Sequence, residues 1–247
     1  MKNAMLGYIL KYDLKRRLTG CVIMGTLAAV LATVIAIIVN GDSDARGLNN
    51  FSTSAMLFWS FGTTCMTASV ALQSSVCFNR SRSSVIKSLM LTIAVSVVLV
   101  SCLSFAFEAL IMKITDNWDL GYKFLPLIKA FEITSDVSGF TGMLAAFAFQ
   151  MLFCFLICIC AVLFICIFYR AGKWAWIGFW VFYMLIMFTG KEVFSGVGSG
   201  AVKLFGSAGN AVLAAVAILT VAFTAVSVVL MKKHELRKNF ISLVKKA

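Results

Sequence analysis

Six stretches of this chain contain no Asp, Glu, Lys or Arg: residues 18–41, 47–79, 88–107, 137–169, 174–190 and 204–231. About twenty apolar residues, at 1.5 Å of helical rise each, cross a hydrocarbon core of roughly 30 Å. Five of the stretches have 20 to 33 residues, and the fifth in order has 17 with small residues to borrow at its ends. None is long enough to cross twice with a turn between. With 61% apolar and 13% charged residues, the chain has too little charge to coat a water-facing surface of its size. Soluble-enzyme readings fall away. The expected fold is an all-α membrane protein with six transmembrane helices, at 19–40, 51–78, 88–112, 138–169, 174–190 and 208–231.

Basic residues give the expected orientation, because cytoplasmic flanks carry the excess of Lys and Arg. With both termini cytoplasmic, the inner side holds 16 bases. They are Lys2, Lys11, Lys15, Arg16 and Arg17, then Arg80, Arg82 and Lys87, then Arg170 and Lys173, and six in the 232–247 tail. The outer side holds 6: Arg46, Lys113, Lys123, Lys129, Lys191 and Lys203. The net charge of +12 thus reads as topology, and no nucleic-acid partner is expected. The first helix follows 17 residues and runs into Asn40-Gly41-Asp42, not a small-residue cleavage site, so it is expected to stay as an anchor. A multi-pass protein of the plasma membrane is the expectation.

Residues 1–18 are amphipathic. Leu6, Leu10, Leu14 and Leu18 recur every four residues, with bases on the other face. Such a helix lies in the membrane interface with its cations among anionic headgroups. In the tail, Leu236, Phe240, Leu243 and Val244 repeat the pattern. The outer segment 190–209 carries Gly190, Gly196, Gly198, Gly200, Gly206 and Gly209. Irregular backbone at membrane depth must be buried in protein or line a cavity, which reads as a partly re-entrant outer gate.

Chemistry-bearing residues are few. Eight cysteines lie within or at the ends of the apolar blocks, and the only His, His234, is in the tail. Buried free cysteines behave as small hydrophobes, and no metal site is expected. No span holds the His or Lys that a membrane serine protease needs, nor paired Asp. Glu108 is twenty residues from Ser88, about 30 Å by helical rise, which puts it at the outer boundary as an interfacial carboxylate or a gate contact. Gln150 lies deeper, to bridge helices or line a pathway. The pairs Gly172-Lys173 and Gly190-Lys191 lack the rest of a phosphate-cradling GxxxxGK[ST] loop, so any ATP hydrolysis must belong to another polypeptide.

The run Tyr8-Ile9-Leu10-Lys11-Tyr12-Asp13-Leu14-Lys15-Arg16-Arg17 resembles the start of short permeases of the type-two class of ATP-binding-cassette exporters. These commonly begin with a KYELK-like stretch. The resemblance implies an N-terminal elbow helix over 1–18, carrying Lys11, Tyr12, Asp13, Arg16 and Arg17. It also implies a short cytoplasmic coupling helix between spans two and three. That position holds Phe78, Asn79, Arg80, Ser81, Arg82, Ser83, Ser84, Val85, Ile86 and Lys87; the family's LTLP-like turn is replaced by Leu89-Met90-Leu91-Thr92. The single permease domain looks most like exporters of antimicrobial or toxin peptides, phenol-soluble modulins among them, and like bacteriocin-immunity permeases. The implied partners are an ATP-binding-cassette ATPase subunit, which binds ATP and Mg, a second permease copy and an amphipathic peptide cargo. This chain itself is then no enzyme and carries no cofactor. A six-span assembly, signalling or immunity protein without its own pathway is the alternative. A secondary carrier would need ionisable residues within its spans, and the six windows hold none.

Overall fold

The computed structural model describes residues 15–31, 34, 51–77, 82–117, 140–172, 174–175, 177–178, 181 and 208–232. All regular structure among them is helical. We number the helices α1 (15–31), α2 (Phe51–Cys77), α3 (Arg82–Asn117), α4 (Phe140–Ala171) and α5 (Ala208–Lys232). Four of these, α2 to α5, are long and apolar enough to cross a bilayer, which marks a multi-pass membrane protein. The bounds of α2, α4 and α5 fall within two residues of the expected spans. Helix α3 overruns its expected span at both ends, so residues 82–87 form its first turns rather than a separate coupling helix. Helix α1 already runs through residues 15–18 and continues without a break to residue 31. The remainder of the expected elbow, Phe78–Ser81, the glycine-rich segment up to residue 207, most of 174–190 and the tail beyond Lys232 lie outside the described residues.

Side-chain contacts set the direction of each helix. Arg17 meets Thr64 and Thr67, while farther along α1 a methyl group at Gly20 would overlap the Trp59 ring and one at Gly25 the Met56 side chain. Residue numbers rise on α1 as they fall on α2, so the two are antiparallel. Thr53 meets Ser104 and Glu108 near the start of α2, and Leu72 shares the main core with Ile86 near the start of α3. That pair is antiparallel too. Helix α4 runs parallel to α2: Cys65 Sγ donates to the Ala161 carbonyl at 3.8 Å, and Ser69 and Gln73 both meet Tyr169. Helix α5 also runs with α4. Val212, Val216 and Phe223 pack with Ala146, Phe149 and Leu156, whereas Val228 and Met231 join the cluster of Val162, Cys166 and Tyr169. One end of the bundle therefore collects the starts of α1 and α3 and the ends of α2, α4 and α5.

Helix α4 ends at Gly172, whose φ of 62° is left-handed backbone that only glycine adopts without strain. Its N–H donates to the Phe168 carbonyl at 2.8 Å, closing the last turn as an αL cap. Beyond it the helical residues Trp174, Ile177, Gly178 and Val181 are exposed.

Several hydroxyls in these apolar helices are satisfied locally. Thr63, Thr67, Ser88, Thr92, Ser96, Thr220 and Thr224 each donate to the carbonyl four residues back, at 2.6–3.0 Å. This lets a polar residue sit inside a lipid-embedded helix without leaving an open hydrogen-bonding group.

Candidate functional site: a buried charged seam

One face of α2 carries Thr53, Ser60, Thr64 and Thr67, spaced i, i+7, i+11, i+14, and all four are buried. The facing side of α3 carries Ser101, Ser104 and Glu108, also buried. Helix α1 adds Arg17, and α4 adds Cys154 and Cys158. Together they make a polar seam inside an otherwise apolar bundle.

In the middle of the seam, Arg17 is only 2% exposed. Nη1 donates to Thr64 Oγ1 at 2.8 Å, and Nη2 donates to Thr67 Oγ1 at 2.8 Å and to the Thr63 carbonyl at 3.4 Å. Thr64 is the middle residue of α2, thirteen from each end. Gln73, where Tyr169 binds beside Arg170, lies nine residues farther on, about 13 Å along the axis. Arg17 thus sits well inside the bundle, not on its surface. An arginine at a helix centre costs about 3 kcal/mol to insert into a bilayer, so its charge must be met inside the protein. Threonine hydroxyls at i and i+3 on α2 meet it here, two guanidinium nitrogens each taking one. The buried thiols of Cys21, Cys154 and Cys158 lie nearby, Cys158 also beside Thr64.

At the other end of the seam, near the start of α2, Glu108 is fully buried. Its Oε1 accepts from the Thr53 backbone N–H at 3.3 Å and from Thr53 Oγ1 at 3.0 Å. Thr53 Oγ1 also pairs with Ser104 Oγ at 2.9 Å. Thr53 is in the first turn of α2, where backbone N–H groups have no partner within the helix and the dipole favours an anion. Glu108 therefore caps α2 from the neighbouring helix. That geometry describes a tie between two helices, and the interfacial carboxylate read from the sequence is here an interior one.

The other expected site residues divide. Gln150 is buried on α4. Arg16 is exposed and reaches Met66 Sδ at 3.5 Å. Lys11, Tyr12, Asp13 and Phe78–Ser81 lie outside the described residues, as does the side chain of Arg82. Ser83, Ser84 and Lys87 are exposed at the start of α3. Val85 packs half-buried on the core and Ile86 is 6% exposed within it. The two apolar residues of that segment thus serve this chain's own packing. Among the described residues no group of His, Cys, Asp or Glu could hold a metal ion, and the seven described cysteines are free thiols.

Sequence reasoning missed the interior place of Arg17, because counting charge-free windows ends each span at the nearest base. The signal that finds it is the hydroxyl row on α2, which a lipid-facing helix has no use for. No protein-family model, characterised protein or solved structure matches this chain.

Proposed function

We propose that the chain is the transmembrane subunit of an ATP-driven exporter, moving amphipathic or hydrophobic peptides out of a bacterial cell while a separate subunit hydrolyses ATP. The observation that carries this reading is the placing of charge. Arg17 lies deeper, against the middle of α2, while the exposed bases Lys15, Arg16, Lys87 and Arg170, with Lys232, belong to the end of the bundle where α1 and α3 start and α2, α4 and α5 finish. In the positive-inside sense that is the cytoplasmic end. There Ser83, Ser84 and Lys87 stand exposed at the start of α3, a basic rim on which a soluble ATPase subunit can seat. A rim of this kind contributes orientation and encounter rate more than affinity. Six spans are part of the proposal. Because α4 and α5 are parallel, the chain between them has to return across the membrane, and the charge-free stretch 174–190 is the one length of sequence fitted to do so.

The buried charges lend specific support to a second reading, an ion-coupled carrier, for which ionisable residues inside the bundle are the hallmark. One experiment separates the two. Affinity-tagged chain is purified from its native membranes in mild detergent, and bound proteins are identified by mass spectrometry. Stoichiometric recovery of an ATP-binding-cassette ATPase supports the exporter. Recovery of the chain without any nucleotide-hydrolysing subunit overturns it.

A further inference from the structure

Two buried hydroxyls in the middle of the seam are left open, as is that of Ser227 on α5 outside it. Ser60 Oγ and Ser101 Oγ are buried, their residues 3% and 1% exposed; neither makes a hydrogen bond of ordinary geometry, and the one polar group beside Ser60 is the weakly bonding Cys21 thiol. Thr63, Thr67 and Ser96, on the same helices, turn back to their own carbonyls; these two do not. A buried hydroxyl left open in this way is costly, and native proteins resolve it with ordered water.

Their spacing fits that solution. The Thr53–Ser104 pair sets the register between the antiparallel α2 and α3. Ser101 lies three residues inward of Ser104, about 4.5 Å, and Ser60 seven inward of Thr53, about 10 Å. Ser60 is then about 6 Å beyond Ser101, and Thr64 about 6 Å beyond Ser60. These gaps are too long for direct hydrogen bonds of about 2.8 Å, but each is the span of one or two waters.

We propose that Ser60 and Ser101 bind a short file of water molecules that joins the cluster of Glu108, Thr53 and Ser104 to the cluster of Arg17, Thr64 and Thr67. The ligand is water, and the product is one hydrogen-bonded chain between a buried carboxylate and a buried guanidinium about 16 Å apart along the bundle. Such a chain satisfies the two open hydroxyls and ties the two polar clusters into one hydrogen-bonded network. The inference is independent of which cargo the protein moves.

Two measurements test it. With serine-labelled protein in lipid bilayers, water-edited solid-state NMR reads polarisation passing from water to each serine Cβ. Ser96, equally buried but bonded to the Thr92 carbonyl, is the dry reference. Severalfold faster build-up at Ser60 and Ser101 than at Ser96 is expected; equal rates overturn the proposal. The second is the sign of a thermal shift. If the seam is dry, Ser60→Ala and Ser101→Ala each remove an open hydroxyl and leave Tm unchanged or raised. If water is bound, each lowers Tm, and the double variant falls by less than the sum because both break one file. A Tm that holds or rises in both single variants sinks the idea on its own.

Discussion

Glu108 and Arg17 show how differently a carboxylate and a guanidinium can be kept inside an apolar bundle. Glu108 is held by what accepts: one oxygen takes both the N–H and the hydroxyl of Thr53. An amide oxygen can do the same. Glu108→Gln is therefore expected to lose under about 1 kcal/mol, whereas Glu108→Ala leaves the Thr53 N–H buried and open, at about 1–3 kcal/mol. Thermal melts of detergent-solubilised protein decide between them, and equal losses would refute the capping role. On the exporter reading proposed above, export should survive Glu108→Gln for the same reason. Arg17 is held by what donates, from two separate nitrogens to Thr64 and Thr67. A lysine ammonium is one point at the end of a different stem and cannot reproduce that fork. Arg17→Lys is expected to lower stability by about 1–3 kcal/mol. A melt indistinguishable from wild type would show that the fork contributes nothing. Of these two residues the sequence revealed one: Glu108 interrupts an apolar run and stands out, while Arg17 hides in a basic cluster that topology alone explains.

At the scale of the helix, α1 is attached to α2 by close approach of backbone. Gly20 lies against the Trp59 indole and Gly25 against Met56 and Phe107, with no room for even a methyl group beside Trp59. Small residues serve this purpose in membranes, where packing rather than water drives association. Gly20→Ala should therefore push α1 away and cost about 1–3 kcal/mol. Gly62→Ala meets nothing within 4 Å and gains about 1 kcal/mol of helix propensity, so its expected effect is neutral or stabilising. Opposite signs in the two melts are the outcome that supports this packing, and a harmless Gly20→Ala refutes it. Span positions were legible because crossing a bilayer demands a charge-free length, and α2, α4 and α5 obey it closely. The true start of α3 was not. Arg82 and Lys87 end the charge-free window, but a helix continues through such residues whenever it reaches the headgroups or packs an apolar face, and Ile86 packs one. The coupling segment read as a separate unit is, over 82–87, that continuation.

For the molecule as a whole, the directions of the helices are a stronger constraint than their number. Hydropathy counts spans one by one and cannot tell which neighbours run parallel; tertiary contacts can. Helices α2, α4 and α5 point one way, α1 and α3 the other, so successive described helices alternate in direction except for α4 and α5. On the six-span reading proposed above, the chain between these two parallel helices makes one return crossing, because loops do not cross hydrocarbon unsupported. This yields a labelling pattern that depends on orientation at every position. In a cysteine-free background, single cysteines at Ser83 and Lys232 are expected on one side of the membrane, and those at Phe140 and Asn210 on the other. A membrane-impermeant maleimide applied to intact cells should modify Phe140→Cys and Asn210→Cys and spare Ser83→Cys and Lys232→Cys until the cells are opened. If Asn210→Cys instead labels together with Ser83→Cys, α5 runs against α4, no return crossing is needed, and the six-span arrangement falls with it.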